Sequence, residues 1–215
     1  MNMSRTRIKI CGITRAADAL AAERAGCDAI GLVFWPGSPR AVTMDQASEI
    51  IGSLAPTTMA IGVFVSPGTD EVINLVERTG LQGAQLCADL PPGPWSTTAQ
   101  MIHLIRVINI GDHPPVKISR MDGVSDYLLD SADRRTPGGT GRVFDWSFLK
   151  ETSPFPRVWL AGGLNANNVV EAIRVVHPFA VDVSTGVEDR PGIKSAGKIE
   201  AFVRAVRAAD ELLDC

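Results

Sequence analysis

The sequence predicts an α/β fold, a single-domain (β/α)8 barrel of the TIM type spanning residues 1–215. Three observations predict it. Eight short apolar runs alternate with helix-patterned segments from one end of the chain to the other, the order of a fold built from repeated strand–helix units. Several runs are continuous and rich in β-branched residues, as strands covered on both faces are. Eight such units in 215 residues fit a small barrel. Alternation alone does not show closure, so an open doubly wound sheet stands as the second architecture with this pattern.

The strand-like runs occupy residues 7–11, 29–34, 58–65, 83–87, 102–108, 127–130, 158–161 and 180–184. Between them, apolar residues recur at i, i+3, i+4 and i+7, the spacing of one helix face: Ala47, Ile50, Ile51, Leu54, then Val72, Leu75, Val76, Thr79, then Ile199, Phe202, Val203, Val206. Start signals accompany the helices. Thr43-x-x-Gln46 reads as a capping box, Ser66-Pro67 as an N-cap followed by proline in the first helical position, and Asn165 as a further cap. Residues 89–100, with Pro91, Pro92, Gly93 and Pro94, leave room for only a short fourth helix, and residues 113–122, with Pro114-Pro115, make a poor fifth.

A net charge of −3 argues against nucleic acid or an anionic membrane surface as partner. No apolar run approaches the ~18 residues that would span a bilayer. Met1 to Arg7 lead straight into the strand-like Ile8-Lys9-Ile10 without a secretory pattern, so a cytoplasmic location is expected. The cysteines Cys11, Cys27, Cys87 and Cys215 form no CxxC pair, which suggests neither a zinc site nor a disulfide framework.

Barrel active sites are built at the C-terminal ends of the strands. There the sequence carries Cys11 after the first strand, Asp130 after the sixth, and Asp182 with Ser184-Thr185-Gly186 at the eighth. Singly, each has a plainer reading: a small buried thiol, or a turn-forming aspartate. Together, a thiol and a carboxylate across one mouth are a base and an acid for proton transfer, provided their pKa values are held apart. Two glycine-bearing turns, Ala161-Gly162-Gly163-Leu164-Asn165 and Ser184-Thr185-Gly186, follow strands seven and eight. Backbone N–H groups in such turns approach an anion closely, and these two loops are where barrels hold phosphate. Strand parity puts Lys9 on the side of Cys11 and Asp182 on the side of Ser184. If the barrel closes, Lys9 and Asp182 pair inside it beneath the site, where Lys9 would favour the Cys11 thiolate.

The chain resembles phosphoribosylanthranilate isomerase over nearly its whole length. The resemblance is carried by Lys9-Ile10-Cys11-Gly12-Ile13-Thr14, Gly31-Leu32-Val33-Phe34 with Ser38-Pro39-Arg40, Gly62-Val63-Phe64-Val65, and Leu128-Leu129-Asp130-Ser131. It continues through Gly138-Gly139-Thr140-Gly141, Phe144-Asp145-Trp146, Ala161-Gly162-Gly163-Leu164-Asn165, and the run from Val181 to Glu188 with Pro191-Gly192-Ile193-Lys194. It implies an Amadori rearrangement without cofactor or metal, with Asp130 as general acid and Cys11 as general base. It also implies that Arg40 binds a substrate carboxylate and that Gly162, Gly163, Asp182, Ser184, Thr185 and Gly186 bind the phosphorylated small molecule. The Gly138–Gly141 loop resembles the family's mobile segment, and the protein is expected as a monomer or homodimer. Three features depart from the pattern: Cys87-Ala88 stand where the family usually has histidine and glycine, Ser195 follows Lys194 in place of a frequent aspartate, and the proline-rich segment is unusual. Two other readings remain. One is the histidine-pathway isomerase on a related phosphoribosyl aminoimidazole, whose family typically uses two aspartates in a longer chain with two phosphate sites. The other is a barrel that only binds a phosphorylated ligand.

Overall fold

A computed structural model describes residues 5–91, 93–110, 121, 123–124, 126–130 and 157–213. In chain order the elements are β1 (Arg7–Cys11), α1 (Ala16–Ala25), β2 (Ala29–Val33), α2 (Met44–Gly52), β3 (Met59–Val65), α3 (Thr69–Thr79), β4 (Gly83–Cys87), α4 (Trp95–Met101), β5 (His103–Asn109) and β6 (Asp126–Asp130). They continue with β7 (Arg157–Leu160), α5 (Val169–Val176), β8 (Ala180–Val183), a short hairpin β9 (Glu188–Arg190) and β10 (Ile193–Lys194), and α6 (Ala196–Leu213).

The eight main strands pair in parallel in sequence order, and β1 pairs with β8 to close the barrel. Closure decides against the open doubly wound sheet. The apolar residues divide by strand parity, as the pleat requires. Ile8 and Ile10, Ile30 and Leu32, and Leu104 point outward into the layer covered by helices, packing with Ala19, Ile50, Phe202 and Val206. Ala29, Ile61, Ile105, Leu128, Trp159 and Ala180 fill the interior. At the bottom of that interior the fully buried Asp126 accepts from Trp159 Nε1 and pairs with His103 and Arg157.

The Thr43 capping box forms as the sequence predicts: Thr43 Oγ1 accepts from Gln46 N at 3.2 Å, and Gln46 Oε1 accepts from Thr43 N at 2.9 Å. Two other start signals fall elsewhere. Ser66 is still tied to the barrel, its N–H donating to Cys87 O, and it takes a left-handed φ of 49°. The chain therefore turns before α3 begins at Thr69, with Gly68 at the cap. Asn165 organises the turn ahead of α5, accepting from Asn167 N, while Asn168 occupies the cap position. The fourth helix is short, as its prolines require. The poor fifth helix at 113–122 falls outside the described residues except at Met121, as do Ser131, Gly138–Gly141, Phe144, Asp145, Trp146 and Cys215.

Candidate active site

The period-two alternation that fills the barrel also builds its mouth. The last inward-facing residues of the strands include Cys11 on β1, Cys87 on β4, Asn109 on β5 and Asp130 on β6, and all four line one cavity. Asp130 is the register partner of Asn109. Cys11 and Asp130 thus share a wall-to-wall space at the carboxyl ends of the strands, where the sequence predicts the site. Arg40, Gly162, Gly163, Asp182, Ser184 and Thr185 line the same cavity. Gly186 is not among the lining residues. It stands behind them, so close to the carbonyl oxygen of Leu164 that an added Cβ would collide with it.

Beneath Cys11 lies the ion pair anticipated from strand parity. Lys9 and Asp182 are register partners, and Lys9 Nζ sits 2.9 Å from Asp182 Oδ1 with the lysine side chain fully buried. A third partner completes it: Lys9 Nζ also donates to Gln85 Oε1 at 2.8 Å. This polar chain crosses the barrel interior from β8 through β1 to β4. Gln85 was not singled out from the sequence, although a glutamine in the otherwise apolar run 83–87, two residues before Cys87, faces inward by the same parity. Gly31 makes room for the arrangement. A Cβ there would lie 2.7 Å from Cys11 Sγ and 3.1 Å from Lys9 Cε.

The electrostatics of Cys11 are set by two opposed effects. Burial pushes the thiol above its ordinary range, and the adjacent Lys9 ammonium is the largest force pulling it back, with Lys194 adding to it. Burial wins and the thiol stays above its ordinary range, while Lys9 favours the thiolate in the direction strand parity anticipates. Burial is the largest single influence on the Lys9 ammonium and would depress it, but Asp182, together with Cys11, holds Lys9 above the usual lysine range. The Cys87 thiol is pushed up by burial to about 12. Where the family pattern has an imidazole, this chain therefore presents a neutral group throughout the physiological range.

The glycine turns have the conformation an anion site needs. Gly162 and Gly163 take φ values of 90° and 65°, left-handed conformations that glycine alone adopts without strain. Among the described residues, no acceptor takes the N–H groups of Gly162, Gly163 or Gly186. Of these three, Gly162 and Gly163 line the cavity, and backbone N–H groups in such a turn can serve an anion.

Arg40 enters from the loop after β2, its Cδ lying where a Cβ on Gly12 would be, at 2.5 Å. Its guanidinium donates from Nε to Glu188 Oε1 at 2.8 Å and from Nη2 to Oε2 at 2.7 Å. Trp35, on the same loop, supplies an aromatic wall to the cavity. The sequence signals neither Glu188 nor Trp35 by spacing, since both depend on how segments far apart in the chain meet.

Residues 8–205 match the family described as N-(5'-phosphoribosyl)anthranilate (PRA) isomerase. The chain belongs to the N-(5'-phosphoribosyl)anthranilate isomerase family. Among its relatives, the Pseudomonas putida N-(5'-phosphoribosyl)anthranilate isomerase is 46% identical over 214 residues, covering 96% of this chain and 100% of the relative. The Azotobacter vinelandii isomerase is 44% identical, with the same coverage. The phosphoribosyl anthranilate isomerase of Thermus thermophilus superposes with a TM-score of 0.81 at 33% identity, over 94% of this chain and 99% of that one. A further isomerase structure, in complex with reduced 1-(o-carboxyphenylamino)-1-deoxyribulose 5-phosphate, gives a TM-score of 0.78 at 33% identity, over the same shares of the two chains. A dimeric isomerase of this family from Thermotoga maritima, in a monomeric form, superposes with a TM-score of 0.79 at 31% identity, over 94% of this chain and 99% of that one.

Proposed function

We propose that this chain catalyses the Amadori rearrangement of N-(5-phosphoribosyl)anthranilate to 1-(2-carboxyphenylamino)-1-deoxyribulose 5-phosphate, the isomerisation step of tryptophan biosynthesis. The observation that carries the reading is the convergence of Cys11 and Asp130 on one cavity whose far wall offers the free amides of Gly162 and Gly163.

In this reading the phosphate sits on those amides, with Ser184 and Thr185 beside them, and Gly186 holds the two turns together by its close approach to Leu164. Arg40 takes the anthranilate carboxylate, for which a planar fork of donors is suited. Asp130 gives a proton to the ribose ring oxygen. The C1–O bond breaks as the anthranilate nitrogen lone pair forms the Schiff base. Cys11, as thiolate, removes the C2 proton, and the electron pair of that bond neutralises the iminium to give an enolamine, which tautomerises to the ketone. Each step is a proton transfer or its tautomeric consequence, within the capacity of a carboxyl and a thiol. Asp182, committed to Lys9, acts from beneath the substrate.

The direct test follows the loss of fluorescence as phosphoribosylanthranilate is consumed. Turnover well above background is the expected result. No turnover, with the product still bound, would leave a barrel that only holds a phosphorylated ligand, and turnover only of the phosphoribosyl aminoimidazole would shift the assignment to the histidine-pathway reaction. For the phosphate wall, Gly186→Ala is expected to raise KM about tenfold or more with a smaller change in kcat, because the added Cβ pushes the two turns apart. An unchanged KM would move the phosphate elsewhere.

A further inference from the structure

We propose that Glu188 is a positioning residue for Arg40, clamping one edge of the guanidinium so that the opposite edge is presented to the substrate carboxylate. The inference rests on the assignment of Arg40 to that carboxylate.

Glu188 begins β9, and Arg40 lies in the loop after β2, so the contact joins segments separated by 148 residues. The carboxylate engages the Nε and Nη2 edge in a two-point contact. A guanidinium has a second such edge, formed by Nη1 and Nη2. Among the described residues no acceptor takes Nη1. Arg40 lines the cavity with its side chain only 13% exposed, so its free donors have little solvent to turn to.

The clamp is itself held. Glu188 Oε1 also accepts from Lys194 Nζ at 2.9 Å and from Gly192 N at 3.2 Å, and its side chain is 5% exposed. Lys194 is fixed in turn by Ser184 O at 3.1 Å. The Arg40 stem is pinned over Gly12. Two basic side chains therefore share one carboxylate, Arg40 at the cavity wall and the buried Lys194 behind it, so Glu188 does not cancel the guanidinium's charge one for one. An arriving carboxylate meets net attraction despite the nearby Glu188, and it meets an arginine already ordered, so little side-chain freedom is lost on binding.

The test compares two substrates, N-(5-phosphoribosyl)anthranilate and N-(5-phosphoribosyl)aniline, which differ only in the carboxylate. The intact protein is set beside Arg40→Ala, Glu188→Gln and Glu188→Ala, with kcat and KM measured for each. Glu188→Ala is expected to raise KM for the anthranilate substrate about tenfold and to leave the aniline substrate within about twofold, matching the selectivity loss of Arg40→Ala. Glu188→Gln, which keeps an acceptor for Arg40, should fall between. If Glu188→Ala does not fold because Lys194 is left buried alone, Glu188→Gln and the double variant Glu188→Gln with Lys194→Met carry the same comparison. Equal losses on both substrates would make Glu188 a strut of the fold and overturn the proposal. If Arg40→Ala leaves the preference for the carboxylate intact, the Arg40 assignment falls first. If Arg40→Ala removes that preference and the Glu188 variants keep it, only the clamp falls.

Discussion

Replacing Cys11 by alanine is expected to lower kcat by about 10²–10⁴-fold, with KM little changed, and Asp130→Asn to lower it by a similar factor. Both groups act on bonds that change only in the transition state, so their loss falls on kcat rather than on substrate affinity. Fluorescence-monitored turnover measures both. Retention of full rate by either variant would remove that residue from the mechanism even if the activity stands. The two should also separate by pH. The base must shed its proton, and burial places the Cys11 thiol above its ordinary range. The thiolate fraction, and with it the rate limb that Cys11 controls, then rises about tenfold per pH unit through neutral and mildly alkaline solution. In Cys11→Ala that limb should vanish. In Asp130→Asn it should persist at a lower rate. The thiolate absorbance of Cys11, taken as the difference between the intact protein and Cys11→Ala, should emerge in the ligand-free protein only above the ordinary thiol range.

The parts of this site that are legible in the sequence are those governed by strand parity. Lys9 and Cys11 alternate with Ile8 and Ile10, so their common face follows from the pleat, and Asp182 meets Lys9 once the barrel closes. The two glycine turns are legible because their place after strands seven and eight has a known use. Gln85 obeys the same parity and was open to the same reasoning. What does not follow from local pattern is whatever depends on loops meeting. The Arg40–Glu188 contact joins the loop after β2 to the start of β9, and nothing in the spacing of either segment announces the other. The start of α3 escapes for a related reason. Ser66-Pro67 carries a good local start signal, but a hydrogen bond to Cys87 O on the neighbouring strand holds Ser66 in the barrel and delays the helix to Thr69. The sign of the Cys11 shift was equally out of reach. Sequence supplies the neighbouring cation, while only the closed barrel shows how completely the thiol is withdrawn from water.

The second large effect is expected at Lys9, where Lys9→Met should destabilise the fold by about 3–5 kcal/mol and move the alkaline rate limb to higher pH. The first part follows from what is left behind. Asp182 is 8% exposed, and the variant leaves this buried carboxylate without the ammonium that its Oδ1 accepts from in the intact protein. Denaturant unfolding measures the loss. The double variant Lys9→Met with Asp182→Asn should recover much of the stability, because it removes both buried charges rather than one. The second part follows from Cys11, for which Lys9 is the largest influence favouring the thiolate. Asp182 holds the Lys9 ammonium above the ordinary lysine range, so its contribution to stability is complete below that range and is lost only as pH rises beyond it. Lys9 is therefore charged at every pH where the rate limb is measured, and a displaced limb in Lys9→Met reports on the thiol and not on the lysine. The double variant separates the two roles of the pair. Asp182 raises the Cys11 thiol while Lys9 lowers it, so removing both should leave a smaller displacement of the limb than Lys9→Met alone. If stability is recovered and the limb of Lys9→Met never moved, Lys9 serves only to neutralise Asp182, and the thiolate would have to be formed by contacts that arise when substrate binds.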